Sequence, residues 1–189
     1  MNFDFRNEYE WELEYKEALR AAVATPVGIL TGIGTLIGFM ILRFQYSQDL
    51  YYTIFFVVLC GAAACSLAVA VYALARTSHG NVYKRVEYAS GLQAFHTQLT
   101  QWHRLSLASR DEDIERDFKE YLDSSYAKAS EHNAKVNEAR ADYLFIANRC
   151  LLASAVFTAL AFAPYFYNFE TQPQKPQLVI LEANSVHPK

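Results

Sequence analysis

Histidine, cysteine and clustered amides are the side chains here that could do chemistry. His96 and His103 are seven residues apart, near one face of a helix. Two imidazoles at that spacing do not complete a zinc site, and no His-Glu-x-x-His pair is present. Both are expected as ordinary helix histidines, buried or at the surface. His132, Asn133, Asn137 and Glu138 form a denser polar group, expected to make interhelical hydrogen bonds. Cys60, Cys65 and Cys150 lie in apolar stretches without zinc-site spacing. They read as small buried hydrophobes, not as nucleophiles or a disulfide framework. A glycine-rich phosphate loop, a Gly-x-Ser-x-Gly elbow and the Arg-x4–6-His pattern of helical ribonucleases are all missing. The expectation is a non-enzymatic protein without cofactor or metal.

The elements that would position these groups are apolar blocks. The chain is 52% hydrophobic, yet Met1–Arg20 and Arg76–Arg149 hold most of the charge. A soluble core would spread its polar residues along amphipathic stripes. Three runs are almost free of charge: Ala21–Leu42, Thr53–Ala75 and Cys150–Phe169. A hydrocarbon core near 30 Å takes about 20 helical residues, and backbone in lipid must satisfy its own hydrogen bonds. The fold class expected is therefore an all-α membrane protein with three transmembrane helices and a cytoplasmic helical hairpin or bundle. The net charge of −3 gives no basic field for nucleic acid, so no direct nucleic-acid partner is expected. The acidic, aromatic start is unlike a secretory signal.

Span counting puts the N-terminus and the central region on one side. Arg6, Lys16, Arg20, Arg76, Lys84, Arg85, Arg140 and Arg149 flank the spans there, against Arg43 near a span and Lys175 and Lys189 in the tail on the other side. The positive-inside rule makes the richer side cytoplasmic. The expected order is a cytoplasmic amphipathic N-terminal helix over 1–20, a transmembrane hairpin over 21–76 and a cytoplasmic helical hairpin over 77–149. A third span over 150–169 and a periplasmic tail over 170–189 follow. Tyr46, Tyr51, Tyr52, Tyr165 and Tyr167 are expected as an outer aromatic belt. Thr25-Pro26 fits a helix start, with a separate helix before it; a continuous helix kinked at Pro26 is the alternative.

Gly28-x-x-x-Gly32 and Gly34-x-x-x-Gly38 in the first span let helix backbones approach closely, and Gly61 to Cys65 form a small-residue patch in the second. Packing within one chain and association into a homo-oligomer both remain open. No span carries an acid, lysine or histidine, which argues against coupled transport. A pore lined by Thr31, Thr35, Ser66 or backbone is still compatible.

Between the second and third spans, 81–107 reads as one helix. Tyr88, Leu92, Phe95, Leu99 and Trp102 alternate in steps of four and three, as in a bundle seam. Ser109 to Glu112 offers a capping box for a second helix. No glycine or proline interrupts that helix before Pro164, so it can run through the third span as a rod roughly 80 Å long. Its expected packing face carries Ile114, Phe118 and Tyr121 or Leu122, then Ser125, Ala129, His132, Val136 and Ala139. Arg76–Arg149 has eleven acids and eleven bases, a solvated helical surface. The N-terminal segment, with six acids and three bases up to Arg20, either lies at the headgroups through Tyr9, Trp11, Leu13 and Tyr15 or docks on the bundle. In the tail, Pro173, Pro176 and Pro188 flank an extended candidate, Gln177–Ala183.

The hairpin Ala21–Ala75 followed by NVYKRVEYASGLQAFHTQLTQWHR, Asn81 to Arg104, resembles the SLATT-type effectors of bacterial conflict systems in layout. Those pair a transmembrane hairpin with an amphipathic cytoplasmic helix. The third span and the tail lie outside the resemblance. It implies a pore-forming or membrane-disrupting role in anti-phage defence at the bacterial inner membrane, controlled by a separate soluble sensor protein. The leading expectation is an oligomeric membrane effector. Its rival is a constitutive anchor that recruits a soluble cytoplasmic partner, and a membrane enzyme using His96 and His103 is the third.

Overall fold

The computed structural model describes residues 4–46, 50–105 and 111–170. Five α-helices are present: α1 (Phe5–Ala22), α2 (Ala24–Arg43), α3 (Leu50–Ser78), α4 (Ala89–Arg104) and α5 (Asp111–Glu170). No strand occurs among the described residues. Ser109 and Arg110 of the capping box, and the tail from 171 onward with its proline-flanked segment, lie outside them. Three helical stretches are long and apolar enough to cross a membrane: Phe5–Arg43 (α1 with α2), Leu50–Ser78 and Asp111–Glu170.

Helix α5 organises everything else. Its 60 residues correspond to a rod of about 90 Å. The rod continues through Pro164, which has no N–H to offer the carbonyl one turn back. α3 lies antiparallel along it, with Thr77 near Arg140, Ala63 near Ser154 and Tyr52 stacked on Tyr167 at 4.3 Å. α1 and α2 follow the rod in its own direction, from Glu12 beside Asn137 to Phe39 beside Tyr165. α4 folds back on the start of the rod, where Phe95 stacks on Tyr121 at 4.1 Å.

From Asn133 to Asn168 the inward positions of α5 recur at alternating steps of four and three, the spacing of a left-handed supercoil. Their chemistry is mostly small or polar: Ala147, Ser154, Thr158 and Ala161 are buried along with Leu151 and Tyr165, whereas Leu152, Val156, Leu160 and Phe162 are exposed. That inversion suits a helix surrounded by lipid, where close backbone approach rather than water exclusion holds helices together. The facing positions of α3 are Ala63, Ala70 and Ala73, all buried, and the Ser154 hydroxyl donates to the Ala63 carbonyl at 3.0 Å.

Larger side chains fill the space in two places; nearer the polar sequence, Val23, Leu30, Tyr143 and Leu144 pack around Ala73, Leu74 and Ala147. Met40, Phe44, Phe56, Leu59, Cys60, Ala161 and Tyr165 form the other cluster, with Phe44 and Phe56 stacked at 4.0 Å. Tyr165 therefore belongs to this core and not to an outer aromatic belt. The expectation of buried cysteines holds for Cys60, while Cys65 is exposed and Cys150 half-buried.

At this same end, Asn168 ties down the chain that leaves α2. Its Oδ1 accepts from the Gln45 amide at 3.1 Å and its Nδ2 donates to the Gln45 carbonyl at 2.9 Å. Replacing Asn168 by alanine removes both bonds and is expected to cost about 1–2 kcal/mol. A thermal melt in detergent checks this; an unchanged midpoint would mean that the pair contributes nothing.

The break between α1 and α2 is a single residue. Val23 keeps helical angles (φ −71°, ψ −26°), and no side chain caps α2. The kinked continuous helix is thus the better description, and Thr25 is not a cap. Pro26 lacks the N–H that would reach back to Ala22, which accounts for the interruption.

Candidate functional site

Where the apolar helices give way to polar sequence, four parts of the chain converge: α1, the end of α3, the segment 79–88 and α5. The segment 79–88 corrects the expected helix over 81–107, because α4 begins only at Ala89. Gly80 adopts φ +83°, a left-handed conformation open to glycine, and ends α3. Asn81 then donates to the Thr77 carbonyl at 3.0 Å, satisfying one orphan carbonyl of α3. From there non-helical backbone crosses α5 as a strap, extended at Tyr88.

Side chains of α5 hold the strap, three of them from one stretch. His132 contacts the Val82 carbonyl through Nε2 at 2.9 Å. Asn133 pairs with the Lys84 backbone as a neighbouring strand would: Oδ1 accepts from its amide at 2.8 Å and Nδ2 donates to its carbonyl at 3.1 Å. Asn137 accepts from the Tyr83 hydroxyl. The polar group on α5 thus bonds a strap and α1, not another helix face alone. Such bonding makes non-helical backbone affordable, since every buried amide and carbonyl needs a partner.

Behind the strap lies a buried network. Asn137 donates through Nδ2 to the Glu12 carboxylate at 2.7 Å and to the Glu12 carbonyl at 2.8 Å. The Tyr83 hydroxyl accepts from Arg140, whose Nε also donates to the Thr77 carbonyl at 2.9 Å. Arg140 Nη1 reaches the Lys16 carbonyl at 3.5 Å. A buried carboxylate and a buried guanidinium are therefore linked through Asn137 and Tyr83, with no direct ion pair between them. Burial at this level is tolerable only because each group is hydrogen-bonded. It also shows why the expected packing face of α5 was offset. Ala129 is buried as expected, but His132 and Ala139 are exposed, and the inward positions are Ser130, Asn133, Asn137 and Arg140.

The N-terminal helix docks on this junction. Asp4 caps it, accepting from the Arg6 and Asn7 amides. Tyr9 meets Tyr126 at 5.6 Å and Leu19 is buried, whereas Trp11 and Tyr15 stack on each other with Trp11 exposed.

The expected seam Tyr88, Leu92, Phe95, Leu99 and Trp102 is brought together only in part. Leu92, Phe95 and Leu99 are half-buried. Tyr88 precedes the helix in extended backbone and is 76% exposed, and Trp102 is 66% exposed. The face turned to α5 is rotated toward the histidines. His96 packs edge-on against Phe118 at 5.0 Å, and buried His103 lies 3.2 Å from the Asp117 carboxylate. Apolar spacing alone could not reveal this, because part of the contact is polar. No group of three His, Cys, Asp or Glu side chains able to hold a metal occurs among the described residues. Farther along, the Tyr121 hydroxyl donates to Glu87 at 2.8 Å, and this bond raises the tyrosine above its usual pKa.

A cleft of about 920 Å³ opens between α1 and the strap. Its walls include Lys16, Arg20, Arg85 and Arg140, the acid Glu87, and the tyrosines Tyr9, Tyr83, Tyr88 and Tyr126. It reaches Val23 at the start of α2 and Ser78 at the end of α3, the level at which the apolar helices stop.

The glycines lie elsewhere, along the apolar helices. Gly28, Gly32 and Gly34 are exposed and Gly38 is half-buried. A methyl group added at any of them would meet nothing within 4 Å, and the same holds for Gly61. Cys65 is exposed on α3. Thr31 and Thr35, on the side of α2 that carries Gly28 and Gly32, bond back to the carbonyls of Val27 (2.9 Å) and Thr31 (2.8 Å). These faces are not used for contact within the chain. No protein-family model, curated protein or solved structure matches this chain.

Proposed function

We propose that the chain is a non-catalytic membrane effector that self-associates through α2 and permeabilises the bilayer. The observation that carries this reading is the open glycine and threonine face of α2. Glycine is a poor helix former, costing about 1 kcal/mol relative to alanine in a helix interior. None of the four glycines in this 20-residue helix is required by close packing within the monomer, since a methyl group at each would meet nothing. A second copy packed against that face would bring backbones close, as small-residue interfaces in lipid do. Thr31 and Thr35 satisfy their hydroxyls on their own helix, which permits an apolar contact beside them.

In this reading α1, the strap, α4 and the first half of α5 are cytoplasmic, with the α2–α3 loop and the tail on the outer side. The positive-inside count supports that orientation. The resemblance to SLATT-type effectors supports the bacterial inner membrane, a role in anti-phage defence and control by a separate sensor.

Reconstitution tests it. Protein in vesicles loaded with a self-quenched dye is expected to release the dye, with a steep dependence on the protein-to-lipid ratio. Vesicles that stay sealed at every ratio while the protein is inserted would overturn the reading.

A constitutive anchor is the second reading. Exposed Trp102 and Leu105 at the end of α4 favour it, since exposed large apolar side chains suit a protein partner. Purification in mild detergent separates the two: a self-assembled oligomer without a bound second protein counts against the anchor.

A further inference from the structure

We infer that the cleft between α1 and the strap binds a phosphate-bearing anion at the level of the membrane surface. Four cations line it, Lys16, Arg20, Arg85 and Arg140, against the one acid Glu87. The acid is already engaged by the Tyr121 hydroxyl. Lys16 and Arg20 are only loosely paired with Glu17, at 3.7 and 3.8 Å, longer than a well-formed charge-assisted bond. Arg85 has no hydrogen bond or ion pair among the described residues.

The decisive group is Arg140. It is only 6% exposed, it lines the cleft, and its Nη2 has no partner among the described residues. Nη2 is not a sealed, unpaired polar atom, so its N–H groups open onto the cleft and can donate to a ligand there. Its other donors are fixed by Thr77, Tyr83 and Lys16, so its plane is pre-set before any ligand arrives. Planar, pre-set guanidinium suits phosphate oxygens better than a mobile ammonium does.

The position of the cleft narrows the chemistry further. It adjoins Val23 and Ser78, where lipid headgroups would lie if the apolar helices span a bilayer. Basic pockets between helices at that depth take anionic headgroups. A soluble phosphate ester offers the same oxygens, so the shared chemistry is the phosphate itself. The inference does not depend on self-association.

The test uses the full chain in a neutral detergent, with thermal unfolding as readout. The probes are short-chain phosphatidylglycerol, short-chain phosphatidylcholine of the same length, glycerol 3-phosphate and inorganic phosphate. Saturable stabilisation by phosphatidylglycerol but not phosphatidylcholine is expected. The double variant Arg20→Gln with Arg85→Gln should bind roughly tenfold more weakly for each cation removed. Both side chains are exposed, so the variant should fold. Arg85→Lys should retain part of the binding, and Lys119→Gln with Lys128→Gln, away from the cleft, should bind as the parent does. Stabilisation by phosphatidylglycerol alone identifies a lipid headgroup; equal stabilisation by the two soluble phosphates identifies a free anion. The inference is overturned if no phosphate stabilises the protein, if phosphatidylcholine does equally well, or if the double variant responds like the parent. Vesicle leakage is a separate readout, so failure here leaves the permeabilisation result to stand or fall by itself.

Discussion

Leucine at position 32 is expected to leave the single chain folded and to abolish its self-association. The site is open, so the new side chain has nothing to displace. Leucine is also the better helix former, by about 1 kcal/mol. The monomer should therefore melt no earlier than the parent. Between two copies the same side chain would hold the helix axes apart and forfeit the close backbone contact. Crosslinked oligomers should fall at least roughly tenfold, and dye release with them. Gly34→Leu makes the comparison, because Gly34 lies about half a helical turn around α2 from Gly32. Loss at one position and not the other identifies which Gly-x-x-x-Gly pair forms the seam. Parent-like crosslinking and leakage in both variants would remove self-association through α2.

Arg140→Met is expected to cost about 3 kcal/mol, the range for removing one member of a buried, charged hydrogen-bond network. Methionine keeps much of the length and none of the donors. The Tyr83 hydroxyl loses its donor, and the Thr77 carbonyl keeps only Asn81. The strap then depends on His132, Asn133, Asn137 and the more distant Tyr121, and amides near Tyr83 should exchange with solvent faster than in the parent. Arg140→Lys restores the charge but not the fork of donors, so it should fall between the two. A melt within 0.5 kcal/mol of the parent, with unchanged exchange, would show that the network does not hold the junction together.

Much of the scaffold could be read from residue order, for clear physical reasons. Charge-free runs near Ala21, Thr53 and Cys150 coincide with apolar helices because hydropathy needs no tertiary knowledge. The absence of Gly and Pro from 111 to 163 foretold the long rod. The junction was harder. Asn81 to Tyr88 contains no proline or glycine; Lys84, Arg85 and Glu87 suit a helix while Val82, Tyr83, Val86 and Tyr88 suit extended backbone, so local propensity does not decide between them. Side chains more than 40 positions later, His132, Asn133 and Asn137, supply hydrogen bonds that make the extended form the better one. Arg140 looked like a surface cation because its partners, Thr77, Tyr83 and Lys16, come from three separate segments. The seam of α5 escaped notice in its apolar half because its inward side is less hydrophobic than its outward side, the reverse of a water-soluble helix. The glycine pattern was visible at once; that its face stays open in the folded chain was not.

Asn133 and Asn168 sit five heptads apart on the same stripe of α5, and each grips a peptide unit of a different connecting segment. Fastened this way, the rod resembles a shaft with one key partway along it and another at its end. Turning it about its own axis would strain both keys at once, since each depends on the same orientation of the rod.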